Sequence, residues 1–137
     1  MATKVLDSWA LIAFFEDEPA AEDVEKLLQQ AADEKHKLLM SVVNWGEVYY
    51  NTMREVSQEA AEQKAHEIAA LPIDIIGVSD DLTLAKQAAI FKAKHKMAYA
   101  DCFAAALAKH RNAELITGDP EFKAVEGEVK VAWLPKN

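Results

Sequence analysis

Tyr99-Ala-Asp101-Cys-Phe-Ala-Ala-Ala-Leu-Ala-Lys-His-Arg111, followed by Leu115-Ile-Thr-Gly-Asp119-Pro120, decides the fold. The run from Phe103 to Ala108 has high helix propensity and is apolar on nearly every face. Such a helix is buried, yet Asp101 opens it with a charge. Leu115-Ile-Thr117 then reads as a short strand that ends in Gly118-Asp119-Pro120. Working outward, the same alternation recurs. Thr3–Leu6, Leu38–Met40, Ile73–Val78 and Val129–Leu134 read as strands. Between them, residues 9–15, 20–34, 42–56, 58–70 and a segment capped by Ser79 or Asp80 read as helices. In that last helix Leu82, Ala85, Ala88 and Ala89 are expected to face inward. In the helix over 42–56, Val42, Trp45, Val48, Tyr49, Thr52, Met53 and Val56 mark an apolar face. Glu47, Asn51 and Arg54 share another face. Short apolar strands alternating with helices predict an α/β fold with a mainly parallel sheet.

Composition narrows the function classes. A chain of 137 residues, 51% of them hydrophobic, predicts one domain with a substantial core. No apolar run approaches a membrane span, and Asp7 interrupts the first apolar stretch, so no signal peptide is expected. The lone Cys102 forms no internal disulfide and no thiolate cluster, which suits a reducing cytoplasm. With four glycines there is no glycine-rich phosphate loop. The net charge of −8 opposes nucleic-acid binding through a broad basic surface. It does not oppose an acidic site loaded with divalent cations.

Acids mark the candidate chemistry. Asp7 and Asp119 each follow a strand, and ligands of open α/β sheets bind beyond the carboxyl ends of strands. Asp101 and Glu47 lie on helices that return to that rim. Several carboxylates in one cleft repel each other unless a hard divalent ion neutralises them. Taken singly, each has a local explanation. Asp7 and Asp101 suit helix caps, Asp119 suits a turn, and Glu47 is one of 23 acids. Asp7 as a phosphoryl acceptor would want a second acid two residues on, where Trp9 stands.

Taken jointly, four segments resemble one family. These are Val5-Leu-Asp7-Ser8, Ser41-Val-Val-Asn-Trp-Gly-Glu47-Val48, Ala100-Asp101-Cys-Phe-Ala-Ala-Ala-Leu-Ala108 and Leu115-Ile-Thr-Gly-Asp119-Pro-Glu-Phe122. Their order and spacing resemble the PIN domain, and within it the VapC-type toxins of toxin–antitoxin pairs. The closing Val129–Leu134 is similar to the family's terminal strand, so the resemblance spans residues 1–137. It implies a three-layer α/β/α sandwich with a five-stranded sheet in order 3-2-1-4-5. It implies Asp7, Glu47, Asp101 and Asp119 as ligands of Mg²⁺ or Mn²⁺, one or two ions per site, with Thr117 as an accompanying hydroxyl. The implied activity is endonucleolytic hydrolysis of RNA, the implied partner a small VapB-like antitoxin carrying the DNA-binding part, and the implied assembly a homodimer. A catalytically silent PIN-like binding module is the rival reading.

Other residues are weighed beside that resemblance. Lys92, Lys94, His95 and Lys96, with Arg54, are candidates for a phosphate track, or else form a solvated helix end. Tyr99 departs from the family pattern and is expected in the core; facing the cleft it would stack on a base. Asn44 reads ambiguously. His36, His66, His95 and His110 are expected at the surface.

Overall fold

The computed structural model describes residues 2–136; Met1 and Asn137 lie outside the described residues. Five strands, β1 (Ala2–Leu6), β2 (His36–Ser41), β3 (Asp74–Ile76), β4 (Glu114–Thr117) and β5 (Val131–Trp133), pair in parallel in the order β3-β2-β1-β4-β5. The helices are α1 (Ser8–Phe15), α2 (Ala21–Ala32), α3 (Val42–Glu55), α4 (Gln58–Ala69), α5 (Thr83–Lys94) and α6 (Tyr99–His110), with a 3-10 segment over Pro120–Val125. The expected sheet order and layering are present. None of the described helices is long and apolar enough to cross a membrane.

Strand alternation explains the layers. Val5 lies in register with Leu39 and Leu115, and all three pack beneath Phe91, Cys102, Phe103 and Phe122 of one helical layer. Their neighbours Leu6, Leu38, Met40 and Ile116 point the other way, against Leu11, Val24, Leu28, Val48 and Ile68. Side chains of successive residues leave a strand on opposite faces, so short apolar strands fill two cores at once. Asp101 through Ala108 are all buried, as their composition requires.

The structure corrects several readings. Helix α6 starts at Tyr99, so Asp101 lies in its first turn and is not its cap; Ala98 is the cap residue and makes no side-chain capping bond. Glu121 instead reaches across the fold to accept from the Ala98 N–H at 3.1 Å. Tyr99 is 48% exposed, its ring edge-on to Phe103, and is not core. His36 opens β2 and is buried, its Nε2 within 3.1 Å of the Leu27 carbonyl oxygen. On α3, Val42, Met53 and Val56 face solvent, and only Asn44 and Val48 are fully covered. The apolar residues of α3 outnumber what one sheet face can cover. The first turn of α5 begins later than expected, because Asp81 Oδ1 accepts from the Thr83 N–H at 2.9 Å. Leu82 is left outside the helix, 65% exposed, and Leu84, Ala88 and Phe91 take the core positions; Ala89 faces out.

Leu82 also has a left-handed backbone, φ 70°, which costs a branched side chain about 1–2 kcal/mol. Leu82→Gly is therefore expected to stabilise the fold by ~0.5–1 kcal/mol, and Leu84→Ala to destabilise it by ~2–3 kcal/mol. Urea unfolding of the two variants checks both signs.

Candidate metal centre

The carboxyl rim of the sheet is built around the meeting of β1 and β4. These strands are neighbours, with Leu6 opposite Ile116, so the residues that follow them emerge side by side. Asp7 ends β1 and is wholly buried. Its Oδ1 accepts from the Ala10 N–H at 2.9 Å, which caps α1. Its Oδ2 accepts from the Thr117 hydroxyl at 2.6 Å. The same hydroxyl accepts from the Asp119 N–H at 3.0 Å. Thr117 thus ties the end of β1 to the loop after β4. Asp119 in turn caps the 3-10 segment by accepting from the Glu121 N–H at 3.0 Å. Gly118 lies between Thr117 and Asp119 under the Trp9 ring, where any Cβ would overlap the indole. The capping role expected of Asp7 is present, and Asp119, expected as a turn former, caps the 3-10 segment; these bonds fix the direction of both carboxylates.

Two helices bring the other acids. Asp101, in the first turn of α6, is 7% exposed. Glu47, on α3, receives the Ser8 hydroxyl at 2.7 Å and the Asn44 amide at 3.1 Å, both on Oε1. Oxygens of Asp101, Asp119 and Glu121 lie within 4.8 Å of one another. Glu121 was not singled out from sequence. The usable signal was its position two residues after Asp119, within the same tight turn.

Electrostatics join the acids into one group. The Asp101 carboxyl is pushed up from 3.8 to about 8, first by burial, then by Asp119, Asp7, Glu47 and Glu121, and every one of these influences raises it. Asp7 is pushed up to about 7 by burial, against the hydrogen bonds from Thr117 and Ala10, with Asp119 and Glu47 raising it further. The positive end of α6 favours a charge at Asp101, yet burial and repulsion win. A donor set made only of carboxylate oxygens, with buried members lacking a counter-charge, fits a hard divalent cation such as Mg²⁺ or Mn²⁺.

The candidate cations are arranged differently from the acids. Lys92 donates to the Met97 carbonyl at 2.7 Å, within the turn between α5 and α6. Lys94 and Lys96 are exposed. The Arg54 guanidinium lies over the Tyr50 ring, 4.9 Å from its centroid. No cation is among the influences on Asp7 or Asp101. At the opposite rim, Lys4, Lys109 and Lys130 line a cleft and are already matched with Glu114 and Glu128.

The raised carboxyls give a pH dependence of defined sign. Between the ordinary 3.8 and the folded value of about 8, the folded state holds a proton at Asp101 that the unfolded chain has lost. Metal-free stability from this group therefore falls as pH rises across that window. His36, whose pKa burial lowers, opposes this below its ordinary 6.5, and Asp7, pushed up to about 7, adds to it; both are common to wild type and variant, so their difference reads Asp101 together with its repulsion from its neighbours. Asp101→Asn is expected to match the wild type near pH 4 and to exceed it by on the order of a few kcal/mol at pH 8, in the absence of metal. Chemical denaturation at both pH values reads it. Gly118→Ala, which drives a methyl group into Trp9, is expected to lose ~1–3 kcal/mol at either pH.

Comparison with known proteins agrees with this fold. No curated protein sequence matches the chain. Among solved structures, VapBC2 of Rickettsia felis, bound to a DNA fragment from its promoter, superposes with a TM-score of 0.73 at 16% identity, covering 97% of this chain and 99% of that one. A toxin–antitoxin complex from Klebsiella pneumoniae gives 0.70 at 19% identity, covering 98% and 99%. The sarcin–ricin loop cleaving toxin VapC20 of Mycobacterium tuberculosis gives 0.69 at 18% identity, covering 93% and 98%. These likenesses establish the fold. The family model of the PIN domain matches residues 4–128, and the chain belongs to the PIN-domain family.

Proposed function

We propose that this protein is a metal-dependent endoribonuclease, the toxin of a toxin–antitoxin pair that blocks translation by cutting RNA in the cytoplasm. The observation that carries the reading is Asp101. It is a nearly buried carboxylate that every neighbour destabilises, with Asp119 and Glu121 oxygens within 4.8 Å. The charged form of such a group is relieved by a cation.

Asp7, Glu47, Asp101 and Asp119 would hold the ion or ions, with Glu121 beside them. A bound divalent ion would supply a low-pKa water as nucleophile and relief of charge on the phosphate. The chain's own residues do the positioning. Thr117 and the Ala10 N–H orient Asp7 through one lone pair on each oxygen, leaving a second lone pair on each. Ser8 and Asn44 hold Glu47 by a single oxygen. Tyr99, exposed and two residues before Asp101, is suited to stack on a base next to the cut. Lys94, Lys96 and Arg54 are candidates for contacting phosphates, and Lys92 for ordering the turn that carries Lys94 and Lys96 toward α6.

The solved neighbours that are toxin–antitoxin complexes support a small VapB-like antitoxin as partner. Exposed Val42, Tyr50 and Met53 along α3 support a homodimer, since unpartnered apolar side chains on one helix favour association.

Mn²⁺ is expected to raise the wild-type melting temperature in a saturable way. Asp101→Asn is expected to lose that shift and to abolish cleavage of total RNA. Full cleavage by Asp101→Asn would overturn the reading, and an absent Mn²⁺ effect would favour the silent binding module. Sequencing of RNA 5′ ends after induced expression identifies the substrate.

A further inference from the structure

Asn44 has no role in the reading above beyond holding Glu47, yet its side chain hydrogen-bonds to both helices bearing acids. It is completely buried near the start of α3. Its Nδ2 donates to Glu47 Oε1 at 3.1 Å and also to the Ala100 carbonyl at 3.1 Å. Ala100 immediately precedes Asp101. The two acceptors require two N–H donors from one short side chain, and a carboxamide supplies both. Serine or threonine has a single donor, and aspartate has none when ionised. The orientation of the amide follows from these partners, because reversing it would set a carbonyl against a carboxylate and a carbonyl.

A second observation concerns the other end of the same amide. Asn44 Oδ1 is buried and has no hydrogen-bond partner among the described residues. A buried, unpaired carbonyl costs about 1–3 kcal/mol. An apolar residue of the same size would avoid that cost. A fold that needed Asn44 only for packing would gain by replacing it.

We infer that Asn44 is a positioning residue that sets the separation of Glu47 on α3 from Asp101 on α6, and thereby the affinity of the carboxylate cluster for a divalent ion. The inference rests on the metal reading proposed above. Asn44 fixes Glu47 through Oε1, the oxygen that Ser8 also holds, so Oε2 remains for other use. It anchors the backbone one residue from Asp101 without contacting that carboxylate. Outer partners of this kind typically change metal affinity by about 10–100-fold when removed.

The test compares stability and Mn²⁺ affinity in the same full-length chain. Asn44→Leu removes both donors and the orphaned carbonyl in similar volume. It is expected to melt at or above the wild-type temperature without metal. Its Mn²⁺ dissociation constant, read by the electron paramagnetic resonance signal of free Mn²⁺ and by thermal shift, is expected to rise about tenfold or more. Asn44→Ala, which removes both donors in a smaller volume, is expected to weaken Mn²⁺ in the same direction and decides the matter should Asn44→Leu not fold. Wild-type binding of Mn²⁺ with unchanged affinity in these variants overturns the inference and leaves the metal reading intact. Failure of the wild type to bind Mn²⁺ overturns both.

Discussion

Repulsion among carboxylates at the carboxyl rim is the constraint on which the rest of this structure depends. Two full charges ~5 Å apart at an effective dielectric of about 20 repel by about 3 kcal/mol. A domain's whole stability is about 5–15 kcal/mol, so a few such pairs would unfold it. The chain tolerates the cluster by keeping Asp7 and Asp101 close to their protonated forms near neutral pH. It surrounds the acids with a framework that does not rely on their charge: paired strands β1 and β4, a buried threonine between them and an alanine-rich helix beneath.

The capping role of these acids is compatible with the ligand role proposed for them. Asp7 begins α1 and Asp119 begins the 3-10 segment, each with one oxygen on a backbone N–H. A cap immobilises its side chain, and an immobilised carboxylate is what a metal site needs. Glu121 extends the same economy by satisfying the start of α6 from another element while lying beside Asp101 and Asp119. Asp101 caps no helix. That makes it the clearest sign that the cluster serves something other than folding.

Much of this was legible from residues. Alternating short strands and helices specified the α/β class because strand faces and helix faces bury different periodicities. The run from Phe103 to Ala108 could only be a buried helix, and the positions of Asp7 and Asp119 after apolar strands put both at the rim. Errors arose where a local signal competed with a distant one. Ser79 and Asp80 looked like caps, but Asp81 engages the first turn of α5 and shifts its inward face. His36 looked polar and exposed, but β2 begins two residues early and buries it against Leu27.

The amino-acid order by itself determined the alternation of strands and helices, the buried helix around Phe103 to Ala108 and the placing of Asp7 and Asp119 after strands, because periodicity and strand ends are properties of neighbouring residues. Only the tertiary structure decided how those acids are held. The Thr117 bond to Asp7 joins residues 110 positions apart, and the Asn44 bond to Ala100 joins residues 56 apart. No local pattern encodes such pairings, since they exist only once the strand order sets β1 beside β4 and packs α3 against α6. Burial of Asp101, and with it the displacement of its pKa, is likewise a product of that packing.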